Sequence, residues 1–305
     1  VKNKKVVYVL SVIYNIHQNK NNGGYAMPIT ITALSENISD DSRLCADFGL
    51  SLHIQTDRRS IILDTGSSGK CFDNAKTLGI DLSKTDAVVL SHGHFDHTDG
   101  ILRLTESNSL NAPLYFSRYM FCERYWKKKD NGEYYFPTMS GLSPQYLQRK
   151  HIPFIGICED VFKPFPDEEI YILSNIERTC PFEEICPDDV IKVNNEFVTD
   201  DYRDECILAV DNGDGIIVMT GCGHHGVINI CTYVQKMLKK PVKAFIGGTH
   251  LVAFDFDRTE KTIAALKKSP LKLLAAGHCT GPDAMEAFKE LDFFVPLHTG
   301  TKINL

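Results

Sequence analysis

Residues 91–100 read Ser-His-Gly-His-Phe-Asp-His-Thr-Asp-Gly and directly follow an apolar run at 87–90. The apolar run predicts a buried strand, so the polar cluster begins where that strand ends. Neutral imidazole and carboxylate groups are typical ligands of zinc, iron and manganese, whereas calcium and magnesium prefer oxygen atoms alone. A lone histidine is usually only solvated, but a cluster of ionisable groups is typical of functional sites. The segment therefore predicts a metal site with four potential ligands: His92, His94, Asp96 and His97.

The motif His-x-His-x-Asp-His at residues 92–97 resembles the metal-binding signature of the metallo-β-lactamase superfamily. Ile-Ile-Leu-Asp-Thr-Gly at 61–66 resembles another marker of that superfamily, an apolar strand that ends in Asp-Thr-Gly. Segments 220–229, 247–251 and 277–281 resemble one branch, the metal-dependent hydrolases related to 7,8-dihydropterin-6-methyl-4-(β-D-ribofuranosyl)aminobenzene 5′-phosphate synthase. The resemblance implies an α/β fold, the four-layer αββα sandwich, with metal ions at one edge of its two sheets.

The resemblance also implies which residues bind metal. In members that keep two ions, the two histidines of His-x-His serve one ion and the Asp-His pair serves the other. His278 matches the last histidine of the superfamily, a ligand of the second ion, and His224 matches a Gly-Cys-x-His motif of the branch. The expected ligands are therefore His92, His94, Asp96, His97, His224 and His278.

Other positions depart from the common pattern of the superfamily. Most members carry Gly-Asp after a strand, with an aspartate that bridges the ions, whereas here Gly221 is followed by Cys222. A thiolate at Cys222 could coordinate, because metal ions deprotonate thiols. The superfamily usually has a further histidine before the preceding strand, and here Asp204 or Glu205 is the available substitute.

Two polar residues outside the ligand set have expected roles. Asp64 is expected to accept the spare N–H of a ligating histidine and thereby to fix its tautomer. By resemblance to the ribonuclease Z relatives, His250 is expected to act as a general acid or to orient a phosphate; the alternative is a buried structural histidine. Asp96 is expected to orient the nucleophile as well as to bind metal. The expected catalytic residues are therefore Asp96 and His250.

The composition limits partners and compartment. A net charge of −6 argues against nucleic acid as the main partner, because phosphate binding needs a basic surface. The ten cysteines include no Cys-x-x-Cys pair, which favours free thiols in a reducing, cytoplasmic compartment. No apolar stretch reaches the roughly 20 residues that cross a bilayer, so no membrane partner is expected. Residues 1–26 are expected to be an extension, with a secretory leader as the alternative, before one domain at 27–305.

Apolar periodicity predicts the order of the elements. Strands are expected near residues 28–34, 49–55, 60–63, 86–90, 113–117, 170–174, 206–210, 215–220, 242–246, 271–275 and 293–296. Helices are expected at 70–78, from 100 to 104, at 228–238 and at 258–268. Residues 112–167 are aromatic and polar and do not follow this pattern, so they are expected to form a lid-like insertion; a surface subdomain is the alternative.

We expect one or two divalent metal ions, with zinc first and iron, manganese or magnesium as alternatives. The expected function is a hydrolase that uses metal-activated water on a small-molecule phosphoester, ester or lactone. A second hypothesis is a transferase that joins a dihydropterin methyl group to a ribofuranosyl-aminobenzene phosphate, because the branch is named for that reaction. A third is a di-iron redox or metal-binding protein, which a visible iron absorption band would favour.

Overall fold

The computed structural model of the protein describes residues 13–15, 27–106, 112–129 and 132–305. Its strands, in chain order, are β1 (Ile13–Asn15), β2 (Thr30–Ser35), β3 (Ser51–Gln55), β4 (Ser60–Leu63), β5 (Ala87–Val89), β6 (Leu114–Ser117), β7 (Arg124–Lys128), β8 (Tyr134–Pro137), β9 (Phe154–Ile157), β10 (Val161–Phe162), β11 (Ile170–Leu173), β12 (Asp189–Val193), β13 (Glu196–Thr199), β14 (Ile207–Asp211), β15 (Ile216–Met219), β16 (Val242–Gly247), β17 (Leu273–Ala276), β18 (Phe294–Pro296) and β19 (Lys302–Asn304). The α-helices are α1 (Lys70–Thr77), α2 (Phe95–Thr98), α3 (Gly100–Glu106), α4 (Pro144–Arg149), α5 (Val227–Leu238), α6 (Phe256–Leu266) and α7 (Pro282–Phe288).

Two large mixed sheets form the centre of the fold. The first has the strand order β1-β19-β2-β3-β4-β5-β6-β9, and the second has the order β10-β11-β14-β15-β16-β17-β18. In the first sheet, β4, β5, β6 and β9 run parallel, and in the second, β15 to β18 do. Parallel neighbours end at the same edge of a sheet, where α/β proteins characteristically bind their ligands. The loops that follow these strands are therefore brought together at one edge.

The inner faces of the two sheets pack on one another. Ile31, Leu52 and Ile61 of the first sheet share a hydrophobic cluster with Leu208 and Ile246 of the second. Helices cover both outer faces, with α5, α6 and α7 on the second sheet and α1, α3 and α4 on the first. Successive side chains of a strand point to opposite faces, so each central strand contributes to an inner and an outer layer. This is the four-layer αββα sandwich that the sequence predicted.

A small third sheet was not predicted. It has the strand order β13-β12-β7-β8 and lies outside the sandwich. All four residues of β13 are exposed, so the strand lacks the continuous apolar run that identifies buried strands. Its aromatic side chains pack locally instead, with the rings of Tyr135 and Phe197 stacked 3.7 Å apart.

The structure also narrows the predicted insertion at 112–167. Its β6 and β9 are neighbours in the first large sheet, and its β10 belongs to the second. Only β7 and β8 leave the sandwich and join the third sheet, so residues 112–167 are not one continuous insertion. Strand β6 agrees with the strand predicted near 113–117, whereas the aromatic composition of the segment concealed β9 and β10. The lid function of the segment stays a prediction.

At the other end of the first sheet, β1 pairs parallel with β19. Residues 1–12 and 16–26 of the expected extension lie outside the described residues. Among the helices of the described part of the chain, none combines the length and the apolar character needed to cross a membrane.

One histidine in the first sheet makes the stability of the fold depend on pH. His53 of β3 is only 4% exposed, and its Nε2 lies 2.9 Å from the Oγ of Ser60 on β4. Burial lowers the pKa of His53 from 6.5 to about 4. Below pH 6.5 the unfolded chain therefore binds a proton at this site that the folded chain does not bind. Folding loses stability as the pH falls from 6.5 towards 4.

We expect His53→Gln to lessen the decrease in unfolding free energy between pH 7.5 and pH 5 by about 2 kcal/mol, because glutamine does not titrate. Urea unfolding at the two pH values measures the difference. His151→Asn is the matched control, because His151 is exposed. An equal pH dependence in wild type and His53→Gln would contradict the prediction.

Candidate metal centre

The potential ligands come from loops that follow strands of both large sheets. The loop after β5 carries His92 and His94, and the short helix α2 that follows it carries Asp96 and His97; the segment after β15 carries His224, and the segment after β17 carries His278. Gly93 allows the first loop to fold, because a Cβ atom there would lie 2.3 Å from the main-chain oxygen of Met120. Gly221 allows the second loop to approach the first, because a Cβ atom there would lie 2.1 Å from Ser91 Oγ. Side chains at these two positions would keep the loops apart.

All six residues that the sequence suggested as ligands converge in two groups. In the first group, ligand atoms lie within 4.8 Å of one another, and the members are His92, His94 and His224. The second group satisfies the same limit, and its members are Asp96, His97 and His278. Ring nitrogens face each other in both groups: Nε2 of His224 is 3.2 Å from Nε2 of His92, and Nε2 of His97 is 3.1 Å from Nε2 of His278.

Asp64, at the end of β4, holds the two central histidines in one tautomer. Its Oδ2 accepts hydrogen bonds from Nδ1 of His97 at 2.7 Å and from Oγ of Ser91 at 2.6 Å. The Ser91 hydroxyl, having donated to Asp64, accepts from Nδ1 of His92 at 2.9 Å. The Nε2 lone pairs of both histidines therefore point into the centre. This contact between Asp64 and His97 is the one expected from the sequence.

Burial keeps most of the imidazoles neutral. It lowers the pKa of His92, His94 and His224 well below 6.5, although the Asp96 carboxylate opposes this at His94. At His278 burial has the same effect, but the adjacent Asp96 carboxylate outweighs it and raises the pKa to about 9. Burial raises the pKa of Asp96, yet His97 and His278 hold it well below its usual range. The metal-free centre thus combines three neutral imidazoles of the first group with a protonated His278 and an anionic Asp96 in the second.

Asp204 and Glu205 do not face the two ligand groups. Glu205 accepts hydrogen bonds from the main-chain N–H of His224 at 2.7 Å and from Nδ1 of His225 at 2.7 Å. Asp204 accepts from the main-chain N–H of Gly93 at 2.7 Å. The suggestion that either one replaces a histidine ligand was therefore wrong, because their oxygen atoms hold loops in place. Sequence alone does not show in which direction such side chains point.

His250, after β16, lies beside the first group. Its ring centroid is 4.1 Å from that of His224, and burial lowers its pKa to about 4. The ring of Tyr202 also stacks on His224, at a centroid distance of 3.6 Å. Asp189 of β12 also brings a carboxylate oxygen within 4.8 Å of ring nitrogens of His224 and His250. Sequence reasoning missed Tyr202 and Asp189, because neither lies in a motif or at the end of a predicted core strand.

The third sheet is joined to the metal loop through Arg124 of β7. This side chain is 2% exposed; its Nε donates to Asp200 at 2.7 Å and its Nη2 donates to Asp204 at 2.6 Å. The other oxygen of Asp204 binds the Gly93 N–H, and His94 itself forms a β-bridge with Met139. Movement of this sheet would therefore disturb the loop that carries His92 and His94.

We expect Arg124→Met to lower the free energy of unfolding by at least about 3 kcal/mol, because two buried carboxylates lose their cation. Urea unfolding of metal-free protein measures the change. Arg203→Met is the matched control, because Arg203 is largely exposed and lies 3.8 Å from Asp201 in a surface ion pair. Equal losses in the two variants would contradict a structural role for the Arg124 cluster.

A four-layer αββα sandwich with imidazoles and carboxylates at one sheet edge defines a class of metal-binding α/β proteins. Residues 46–114 match the family model described as the metallo-β-lactamase superfamily. The 7,8-dihydropterin-6-methyl-4-(β-D-ribofuranosyl)-aminobenzene-5′-phosphate synthase of Methanocaldococcus jannaschii is 30% identical over 297 residues, covering 90% of this chain and 96% of that protein. The chain belongs to the metallo-β-lactamase superfamily, as its motifs predicted.

Two solved structures share the fold. Tm1679, described as a metal-dependent hydrolase of the β-lactamase superfamily, matches with a TM-score of 0.75 at 24% identity, over 90% of this chain and 98% of that chain. Zinc-bound PqqB from Methylobacterium extorquens matches with a TM-score of 0.55 at 14% identity, over 90% of this chain and 100% of that chain.

Proposed function

We propose that this protein is a metal-dependent hydrolase of a small phosphorylated molecule, with two divalent ions in its centre. The observation that carries the proposal is the convergence of two three-residue ligand groups at one sheet edge. His92, His94 and His224 would bind the first ion, and Asp96, His97 and His278 would bind the second. Five of the six ligands are imidazoles, so zinc is the preferred ion, with iron and manganese as alternatives.

The chemistry of the donors fits such ions. The hydrogen bonds to Asp64 and Ser91 leave Nε2 of His97 and of His92 with a free lone pair. Nε2 of His97 and Nε2 of His278 lie 3.1 Å apart, and at most one proton can lie between them. A cation would replace that proton and be bound by both nitrogens. Ser91 and Asp64 accept the Nδ1 hydrogens of His92 and His97 and so fix the orientation of the two rings, as is usual for metal ligands.

When bound, divalent ions supply a water of lowered pKa, about 7 instead of 15.7, and stabilise negative charge on the substrate. Asp96 retains an anionic oxygen that orients this nucleophile. His250 is neutral at physiological pH, since burial lowers its pKa to about 4. It therefore donates an N–H hydrogen bond to the substrate and helps to position the leaving group. The small third sheet, connected through Arg124, maintains the position of the metal loop.

Two arginines beside the centre favour an anionic substrate. Arg178 donates to the main-chain oxygen of His224 at 3.3 Å, and Arg258 stacks 3.6 Å over Phe254, whose ring contacts His250. Neither has a carboxylate within ion-pair distance among the described residues, and each has a buried nitrogen without a hydrogen-bond partner there. Burial lowers the pKa of both; carboxylates farther away, Glu205 for Arg178 and Glu183 for Arg258, raise it in part, and the charge of Arg178 lowers that of Arg258. A phosphate group would supply the missing negative charge.

The second candidate is a synthase. It is favoured by the 30% identity to the Methanocaldococcus jannaschii protein, which carries the name of a synthase and matches over 96% of its length. The same residues would then bind a phosphorylated leaving group. A pterin alcohol pyrophosphate, offered with and without a ribofuranosyl-aminobenzene phosphate, separates the two candidates by the product formed.

We expect purified protein to contain one to two equivalents of divalent metal and His94→Ala to lose most of it, because a ring donor is removed. Elemental analysis measures the content, and His151→Asn, which alters an exposed histidine, is the control. Chelation should abolish turnover and added zinc should restore it. Unchanged metal content in His94→Ala would reject the ligand assignment, and turnover indifferent to chelators would reject the mechanism.

We expect Arg258→Met to raise KM at least about tenfold for phosphorylated substrates, because the charged hydrogen bond to the phosphate is lost. Steady-state kinetics on matched phosphorylated and unphosphorylated compounds measure the effect. Lys261→Met on the same helix is the control, since Lys261 is exposed and pairs with Asp257. A KM that rises equally for both kinds of compound would contradict phosphate recognition.

A further inference from the structure

Cys222 lies between the two ligand groups. Its side chain is buried, with the residue 3% exposed, and its Sγ is 3.1 Å from Nε2 of His97. The sulfur forms one close set with His92 and His97 and another with His278 and Cys279, and in each set all ligand atoms lie within 4.8 Å of one another. The sulfur is therefore near a nitrogen of the first ligand group and near two nitrogens of the second.

The backbone on both sides of Cys222 determines the position of this sulfur. Gly221 packs against Ser91, and Gly223 has φ 69° and would bring a Cβ atom to 2.6 Å from the main-chain oxygen of Gly248. Glycine at both positions lets the turn lie between the loops that follow β5 and β16. A side chain at the intervening position consequently points to the space that the two ligand groups share.

The neighbouring carboxylates are not placed to bind both ions. Asp64 is occupied by Ser91 and His97, and Glu205 is occupied by the loop at His224 and His225. Asp96 belongs to the second group, where its Oδ2 is 3.3 Å from Nε2 of His278. Among the described residues, the Cys222 thiol is thus a soft donor within 4.8 Å of ring nitrogens of both groups.

We propose that the thiolate of Cys222 is a ligand shared by both metal ions. The proposal rests on the two-ion centre proposed above and adds a donor that completes each group of three to four protein ligands. On loading, the S–H bond breaks, its proton passes to solvent, and the sulfur electron pairs bind the cations. A sulfur donor favours zinc, iron and cobalt over magnesium, so the shared thiolate also determines which metals the centre accepts.

Cys279 is the matched control. It is half-buried, its thiol donates to the main-chain oxygen of Cys222 at 3.3 Å, and it shares the set with Cys222 and His278. It is absent from the set that contains His92, so it contacts one ligand group only. Cys279→Ser therefore tests for a sulfur ligand that serves a single ion.

The experiment is a titration of metal-free protein with Co²⁺, followed by the near-ultraviolet sulfur-to-cobalt charge-transfer band. We expect the band to grow through the first and the second equivalent, because one sulfur serves both ions. Cys222→Ser should lose the band and bind Co²⁺ at least about tenfold more weakly. Cys222→Asp should bind two equivalents without the band, and Cys279→Ser should keep it. Circular dichroism of each metal-free variant verifies folding.

Three results would overturn the shared thiolate while leaving the two-ion hydrolase intact. They are two bound equivalents of Co²⁺ without the band, a band that stops growing after one equivalent, and a band lost in Cys279→Ser but kept in Cys222→Ser. Failure of the wild-type protein to bind Co²⁺ at all would overturn the proposed function as well. The readout is spectroscopic, so it does not depend on knowing the substrate.

Discussion

The carboxylate of Asp64 is the interaction on which the centre depends. It is fully buried, and it accepts hydrogen bonds from the main chain and the side chain of Ser91 and from His97. These bonds join the end of β4 to the loop after β5, which is its parallel neighbour. A buried carboxylate without such partners would cost several kcal/mol, so the loop and the carboxylate stabilise each other. The same bonds orient two imidazoles, so one carboxylate stabilises both the loop and the arrangement of the ligands.

The second sheet completes the centre because its parallel strands end at the same edge. His224, His250 and His278 follow three different strands, β15, β16 and β17, which are adjacent in the sheet. Packing of the two inner faces places these loops opposite the His-x-His-x-Asp-His loop, and Gly221 removes the side chain that would prevent the approach. The third sheet also stabilises the metal loop, because Arg124 of β7 donates a hydrogen bond to Asp204, and Asp204 accepts a hydrogen bond from the main-chain N–H of Gly93. Metal binding, as proposed, is thus an outcome of sheet packing as much as of ligand type.

Prediction from sequence succeeded where the signal is local. The buried strand at 87–89, the helix at 227–238 and the polar loop at 91–100 each have a periodicity or a composition that belongs to one short segment. It failed for β12 and β13, whose side chains are partly or wholly exposed, and for β9 and β10 in the aromatic segment 112–167. It also failed for Asp204 and Glu205, since a nearby carboxylate can bind either a metal or a main-chain N–H, and only the fold decides which.

The sequence by itself determined the kind of chemistry: a motif of imidazoles and a carboxylate after an apolar strand, in a chain of the metallo-β-lactamase superfamily. The local spacing of residues is sufficient to identify this chemistry, because the imidazoles, the carboxylate and the strand that they follow lie within about a dozen positions of one another. Only the tertiary structure decided which distant side chains meet. Cys222, Tyr202, Arg178 and Arg258 come to the centre through sheet order, glycine turns and packing. Cys222 lies in a local motif that the sequence analysis identified, but no local pattern marks the other three, because their neighbours in space are remote in sequence.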